Sequence, residues 1–297
     1  SQPKDLYQFL FSSPSSLMSY CYLLIPKLRH LYLHHIDKSE SRPRMKLSLT
    51  DEEIKTMSKS DLLKYKMSFI ALSWSRYSDF AQCPRKFYLK YITKEFPPFD
   101  DKAPHLLRGQ NLHKQLEDYA DHLKFPDDVP EPDMSPETAS LKPALQQLFK
   151  TSVALNPEQQ IAVNTQWKQV EWFAKNAYWR LIVDLTAERS DHAIVWDYKS
   201  GKYQPYAEEC GQLHLTAAAF LMMNPHYKYV RTDYVYLDAK KAEGVTITRD
   251  DAPRIIKIFD DRSAKVNAEV DWKPTKNEYC NWCDAKQSQC RFSKKAG

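Results

Sequence analysis

Residues 193–202 read AIVWDYKSGK, an apolar run that delivers Asp197 and Lys199 and then halts at Gly201. Ile194, Val195 and Trp196 favour a strand, and Ser200-Gly201-Lys202 is a turn signal. Alternate strand residues point the same way, so Asp197 and Lys199 share a face and project from the strand's end. Taken alone, such a pair reads as a solvated ion pair at a strand terminus. Its surroundings say more. A second strand-like run, RLIVDLTAER from Arg180, sets Asp184 between Val183 and Leu185. An acid inside an apolar strand is costly to desolvate unless something positive meets it. A hairpin through Ser190-Asp191-His192 would bring Asp184 beside Asp197. Two converging carboxylates and a lysine suit a hard divalent cation and a polarised water.

The 297 residues are 42% hydrophobic, enough for a real core in one large domain or two small ones. A net charge of +5 and 13% aromatics are compatible with a nucleic-acid partner without requiring one. No apolar run reaches the ~20 residues of a membrane helix. The nearest, Leu17 to Leu33, is interrupted by Pro26, Lys27, Arg29 and His30. Its basic and small residues are not in signal-peptide order, so a cytoplasmic location is expected. There, six cysteines serve as thiols or metal ligands more readily than as disulfides.

Residues 1–68 read as an N-terminal extension. Its first 44 residues are either a helical segment or sequence upstream of an initiating Met45, and the second reading is preferred. Ser48 is placed to cap a short acidic helix. Ser73 or Ser75 caps a helix in which Tyr77, Phe80, Phe87 and Tyr91 recur, with a break at Cys83-Pro84. Leu106 to Leu123 forms a second helix with an apolar stripe of Leu112, Leu116, Tyr119 and Leu123, and His113 lies beside that stripe. FPDDVPEPDMSP, residues 125–136, is a loop. Strands are expected around Gln159 to Gln166 and from Arg180 to Lys199, then a helix from Pro205 to Asn224. A hairpin pairs Tyr227 to Leu237 with a run from Gly244, and a late helix follows Asp250. This order predicts an α/β sandwich whose mixed central sheet is flanked by helices.

The tail EYCNWCDAKQSQCRF carries Cys280, Cys283 and Cys290, a spacing that signals a metal or cluster ligand set. Zinc is usually completed by a nearby Cys or His, yet only RFSKKAG follows Cys290. Cys83, in the run CPRKF, supplies a fourth thiol from far upstream. Cys21 and Cys210 read as ordinary thiols.

An acid on one strand and acid-x-Lys on the next resemble the core of the PD-(D/E)XK nuclease superfamily. Gly109-x-x-x-His113 resembles the helix ahead of that core in the RecB and AddB type. One Cys before the core and three after it resemble the iron–sulfur nucleases, among them the CRISPR-associated exonucleases and the nuclease domain of eukaryotic nuclease-helicases. The resemblance covers about residues 70–292. It implies a restriction-endonuclease-like core within 69–297, its termini clasped by a [4Fe-4S] cluster on Cys83, Cys280, Cys283 and Cys290. It further implies that His113, Asp184, Asp197 and the Tyr198 carbonyl hold Mg or Mn, and that Lys199 orients or deprotonates the attacking water. Gln212 would position substrate or Lys199. The implied activity is a metal-dependent DNA exonuclease working on single strands or ends in recombination, repair or CRISPR adaptation. DNA and a recombination or CRISPR protein are the implied partners, with no membrane. Two departures stand out: Leu181 replaces the family's glycine three residues before the first acid, and Thr216 replaces its tyrosine four residues after Gln212. The rival readings are a non-catalytic DNA-binding module with a zinc or iron–sulfur clasp, and a sequence-specific endonuclease.

Overall fold

The sheet comprises β1 (Ala154–Val163), β2 (Gln169–Val170), β3 (Trp179–Glu188), β4 (His192–Lys199), β5 (Tyr229–Tyr236) and β6 (Lys241–Thr248), with apolar alternation clearest in β3. They lie in the order β2-β1-β3-β4-β5-β6. β4 and β5 run parallel and all other neighbours antiparallel, so the sheet is mixed as its element order implied. This computed structural model describes residues 51–58, 61–62, 70–97, 103–205 and 211–295. The expectations for residues 1–44, Ser48, Cys21 and Cys210 lie outside the described residues.

Among the described residues the α-helices, in chain order, are α1 (Asp51–Thr56), α2 (Trp74–Gln82), α3 (Pro84–Phe87), α4 (Pro104–Lys124), α5 (Pro136–Ala139), α6 (Lys142–Thr151), α7 (Gln212–Met223) and α8 (Ala252–Ala268). Ser73 caps α2 by accepting from the Arg76 N–H at 3.3 Å, which satisfies an otherwise orphaned donor. Cys83 is extended at φ −163°, ψ 109°, and Pro84 restarts the chain as α3, where its missing N–H costs nothing. On one face α2, α7 and α8 cover Trp179, Val195 and Ile247; on the other α4 and α6 cover Leu185, Trp196 and Tyr198. Trp179 buries its ring and donates its indole N–H to Ser263 of α8 at 3.0 Å. Truncating such a side chain to alanine costs about 3–5 kcal/mol.

Several boundaries differ from the sequence reading. β1 begins at Ala154 rather than near Gln159 and passes through Pro157, where it is the edge of the sheet and a proline is tolerated. It ends at Val163 because Asn164 turns the chain, its side chain accepting from the Gln166 and Lys168 N–H groups. α6 was not anticipated, although Ala144, Leu145 and Leu148 form its buried stripe. α7 starts at Gln212 instead of Pro205. Leu181, standing where the family has glycine, is buried opposite Ile161 and fills core space.

Between the pairs Pro157–Leu185 and Gln159–Val183, the β1–β3 ladder skips Glu158 and Asp184. Both strands change sides there. Val183 packs with the α7 and α8 cluster, whereas Leu185, of the same parity, packs with α4 and α6. Glu158 absorbs part of the turn at φ 45°, a left-handed conformation that costs a residue with a Cβ about 1–2 kcal/mol.

Candidate active site

The β3–β4 hairpin closes with Arg189 N–H donating to the His192 carbonyl at 2.8 Å. Its ladder ends at Leu185–Trp196, one step short of Asp184 and Asp197. The expected hairpin therefore exists, and both acids stand at its open end. The Tyr198 N–H, freed from the ladder, donates to Asp184 Oδ2 at 2.6 Å.

α4 brings His113 to this fork. A Cβ on Gly109 would lie 3.0 Å from Ser200 Oγ, so glycine lets α4 rest directly against the end of β4, one turn before His113. Asp238 fastens the junction by accepting from Arg108 at 2.6 Å and from the Gly201 N–H at 2.9 Å. Gly201 itself has φ +120°, which side chains other than glycine's hydrogen rarely permit.

His113 Nε2 lies 3.1 Å from the Tyr198 carbonyl and Nδ1 lies 3.5 Å from Asp184 Oδ1. Burial disfavours the imidazolium, but the charges of Asp184, Glu158 and Asp197 outweigh it and raise the His113 pKa. One donor atom each from His113, Glu158 and Asp184 fall within 4.8 Å of one another. An imidazole, two carboxylates and a carbonyl form a donor set that suits Mg or Mn. Burial and the Asp184 charge raise the Glu158 pKa, a conflict that a cation would relieve.

Asp197 faces the other way. Its Oδ1 lies 2.6 Å from Lys199 Nζ, and its Oδ2 accepts from Gln212 Nε2 at 2.6 Å. Burial pushes its pKa up to about 6, although the neighbouring Lys199 pulls it down. Lys199 Nζ sits 4.5 Å from the centre of the Tyr234 ring, and the Tyr234 hydroxyl donates to Gln212 at 3.3 Å. The geometry thus joins His113, Asp184 and the Tyr198 carbonyl in one group, and Asp197, Lys199 and Gln212 in an adjacent one. It adds two residues the sequence reading missed. Glu158 lies in a polar run with no periodic cue. Tyr234 could have been found only from the parallel pairing that sets it beside Asp197.

Away from this fork, Cys83, Cys280, Cys283 and Cys290 line one cavity of about 600 Å³ together with Arg85, Lys86 and Lys90. The Thr275 and Asn277 N–H groups donate to Cys83 and Cys280 sulfurs, each at 3.4 Å. Burial, Cys83 and Cys290 push the Cys283 thiol up. Among the described residues, no three of the four sulfurs all lie within 4.8 Å of one another.

The family model of the PD-(D/E)XK nuclease superfamily matches residues 71–291. The chain belongs to this superfamily. As a PD-(D/E)XK chain it is a nuclease, and its family implies DNA as substrate and divalent metals such as Mg as cofactor. No curated protein matches the sequence. Among solved structures, SSO0001 is similar at 14% identity, covering 76% of this chain and 94% of its own, with a TM-score of 0.37. A Eubacterium rectale protein provisionally named an exonuclease is similar at 14% identity, covering 80% and 92%, with a TM-score of 0.41. No described helix of the PD-(D/E)XK chain is long and apolar enough to cross a membrane.

Proposed function

We propose that the chain is a metal-dependent DNA exonuclease acting in recombination, repair or CRISPR adaptation. The observation that carries the reading is the convergence of His113, Glu158 and Asp184 within 4.8 Å, beside a lysine held 2.6 Å from a second acid. His113, Glu158, Asp184 and the Tyr198 carbonyl would hold Mg or Mn, with Asp197 closing the site on its far side. A cation there supplies positive charge against the phosphate as the phosphodiester breaks. Lys199 orients the attacking water, and its positive charge favours the hydroxide formed as the proton leaves to solvent. Asp197 and Gln212 position Lys199, and Tyr234 confines its ammonium. The preference for ends over internal bonds rests on the resemblance to the RecB and AddB type.

The four cysteines complete the proposal as ligands of a [4Fe-4S] cluster. Zinc draws four sulfurs to about 3.8 Å of one another at its usual bond length, whereas no three of these sulfurs all lie within 4.8 Å of one another. A cluster shares its thiolates among four irons, and N–H donors aimed at sulfur are a common feature of such sites. Its role would be structural, joining the segment at Cys83 to the tail. The test compares labelled linear and circular strands with Mg, with Mn and with a chelator. Release of short products from linear strands alone, abolished by the chelator and by Asp184→Ala, supports the reading. Cleaved circles would make it an endonuclease, and metal-independent or absent cleavage would defeat it.

A further inference from the structure

Trp179, Leu181 and Val183 pack with the α7 and α8 cluster, so Arg180 and Ile182 point to the opposite face, the one from which His113 of α4 reaches Asp184. Ile182 is 56% exposed. Beyond it, the Arg180 guanidinium lies 5.3 Å from the Trp172 ring centre and 5.7 Å from that of Phe173. Phe173 is 84% exposed. Arg108, Arg231 and Arg254 form ion pairs, whereas among the described residues Arg180 has none. Arg180 Nε, shielded from water, meets no acceptor.

An exposed phenyl ring, an arginine without a carboxylate and an exposed isoleucine are poor choices for a solvated surface. Together they suit a ligand with flat apolar rings and regularly spaced anions. Bases stack on aromatic side chains with about 1–3 kcal/mol each, and a guanidinium fork matches phosphate oxygens. Bases inside a duplex already have both faces covered by their neighbours, so along a strand a ring such as Phe173 stacks far more readily on an unpaired one. Arg180 and Asp184 are four residues apart, about 13 Å along an extended strand, so the strip is continuous with the site and does not form a separate patch.

We propose that Phe173, Arg180 and Ile182 form a binding strip for a single DNA strand, with an unpaired base stacked on Phe173 and a phosphate on Arg180. The strip feeds the strand toward Asp184, and its direction rests on Asp184 belonging to the cleavage site. Binding is measured on the full chain in chelator, by fluorescence anisotropy with labelled oligothymidylate and with a blunt duplex of equal length. Phe173→Ala is expected to weaken oligothymidylate binding by about tenfold and to leave the duplex unchanged. Phe173→Trp should retain the single strand, whereas Phe173→Leu should lose it as alanine does, separating stacking from mere apolar contact. Arg180→Ala should lower the salt dependence of single-strand binding by about 0.7, one phosphate's worth. If Phe173→Ala binds both ligands as wild type does, or weakens both alike, the strip is refuted. Cleavage by the wild type is followed in parallel with Mn. Its absence overturns the exonuclease reading, whereas normal cleavage with an unaltered strand preference in Phe173→Ala overturns the strip alone.

Discussion

Glu158 adopts a backbone conformation that glutamate rarely takes, and it does so where its neighbour across the ladder is another acid. Glu158→Gln keeps the shape and removes the charge, so Mn affinity measured by calorimetry is expected to fall about tenfold or more. Undiminished affinity would exclude Glu158 from the ligand set. Glu158→Gly relieves the backbone and is expected to raise the stability of the metal-free protein by about 1 kcal/mol, offset in part by the freedom gained when unfolded. Lys199→Ala should abolish turnover yet leave metal and DNA binding intact, because its contribution belongs to the transition state. Asp197 sets a pH dependence. Its carboxyl titrates near 3.8 when unconstrained and at about 6 in the fold, so the proton it carries supports folding below 3.8 and that support is lost as pH rises to about 6. In chelator, Asp197→Asn should therefore stabilise the protein at neutral pH, by on the order of 3 kcal/mol, and have little effect below pH 3.8. An equal gain in melting temperature at both pH values would contradict this. Asp184, Asp197 and Lys199 were legible in the sequence because a polar group within an apolar strand is conspicuous. Glu158 was not, since its position depends on a break in the ladder that has no compositional signature.

At the scale of elements, the hairpin, the long helix bearing His113 and the break at Pro84 were all legible, each from a local signal: alternation, a helical stripe, or a proline after a cysteine. α6 was overlooked because it follows a proline-rich run and has its own proline near the start, where proline fits a first turn as readily as a loop. The approach of α4 to β4 was also beyond reach, since glycine's spacing from histidine says nothing about what the glycine touches. Gly109→Ala tests that contact. Alanine favours the helix by about 1 kcal/mol, but its methyl meets Ser200 Oγ at 3.0 Å and pushes α4 away from the fork. Activity is expected to fall while the melting temperature stays level or rises. Adding Ser200→Ala removes the obstructing oxygen and should restore activity. A single variant as active as wild type would show that the junction has slack.

Across the whole molecule, the four cysteines sit on segments far apart in sequence that meet at one cavity. Asn277 Nδ2 donates to the Gln82 carbonyl at 3.0 Å, beside Cys83, across 195 residues. Trp272 reinforces the seam by stacking on Phe87 at 5.9 Å. Anaerobically purified protein is expected to be brown, with a broad absorption at roughly 400 nm. Cys283→Ala should bleach it and lower the melting temperature, whereas colourless protein with stoichiometric zinc would refute the cluster. That Cys83 and the three tail cysteines share a cavity was legible because thiol spacing survives in the linear sequence. The seam's other contacts were hidden, as nothing links Trp272 to Phe87 until the chain has folded.

That seam also imposes an order on synthesis. A chain leaves the ribosome N-terminus first, at about 5–20 residues per second. Cys83 and Gln82 therefore emerge many seconds before Asn277. All the residues of the fork, from His113 to Tyr234, are outside the exit tunnel before the tail that closes the seam has been made. A nascent chain can thus assemble its sheet while the seam awaits residues 272–290. With the proposed [4Fe-4S] cluster as the clasp, iron supply at that moment, rather than earlier in elongation, would decide how many chains are sealed.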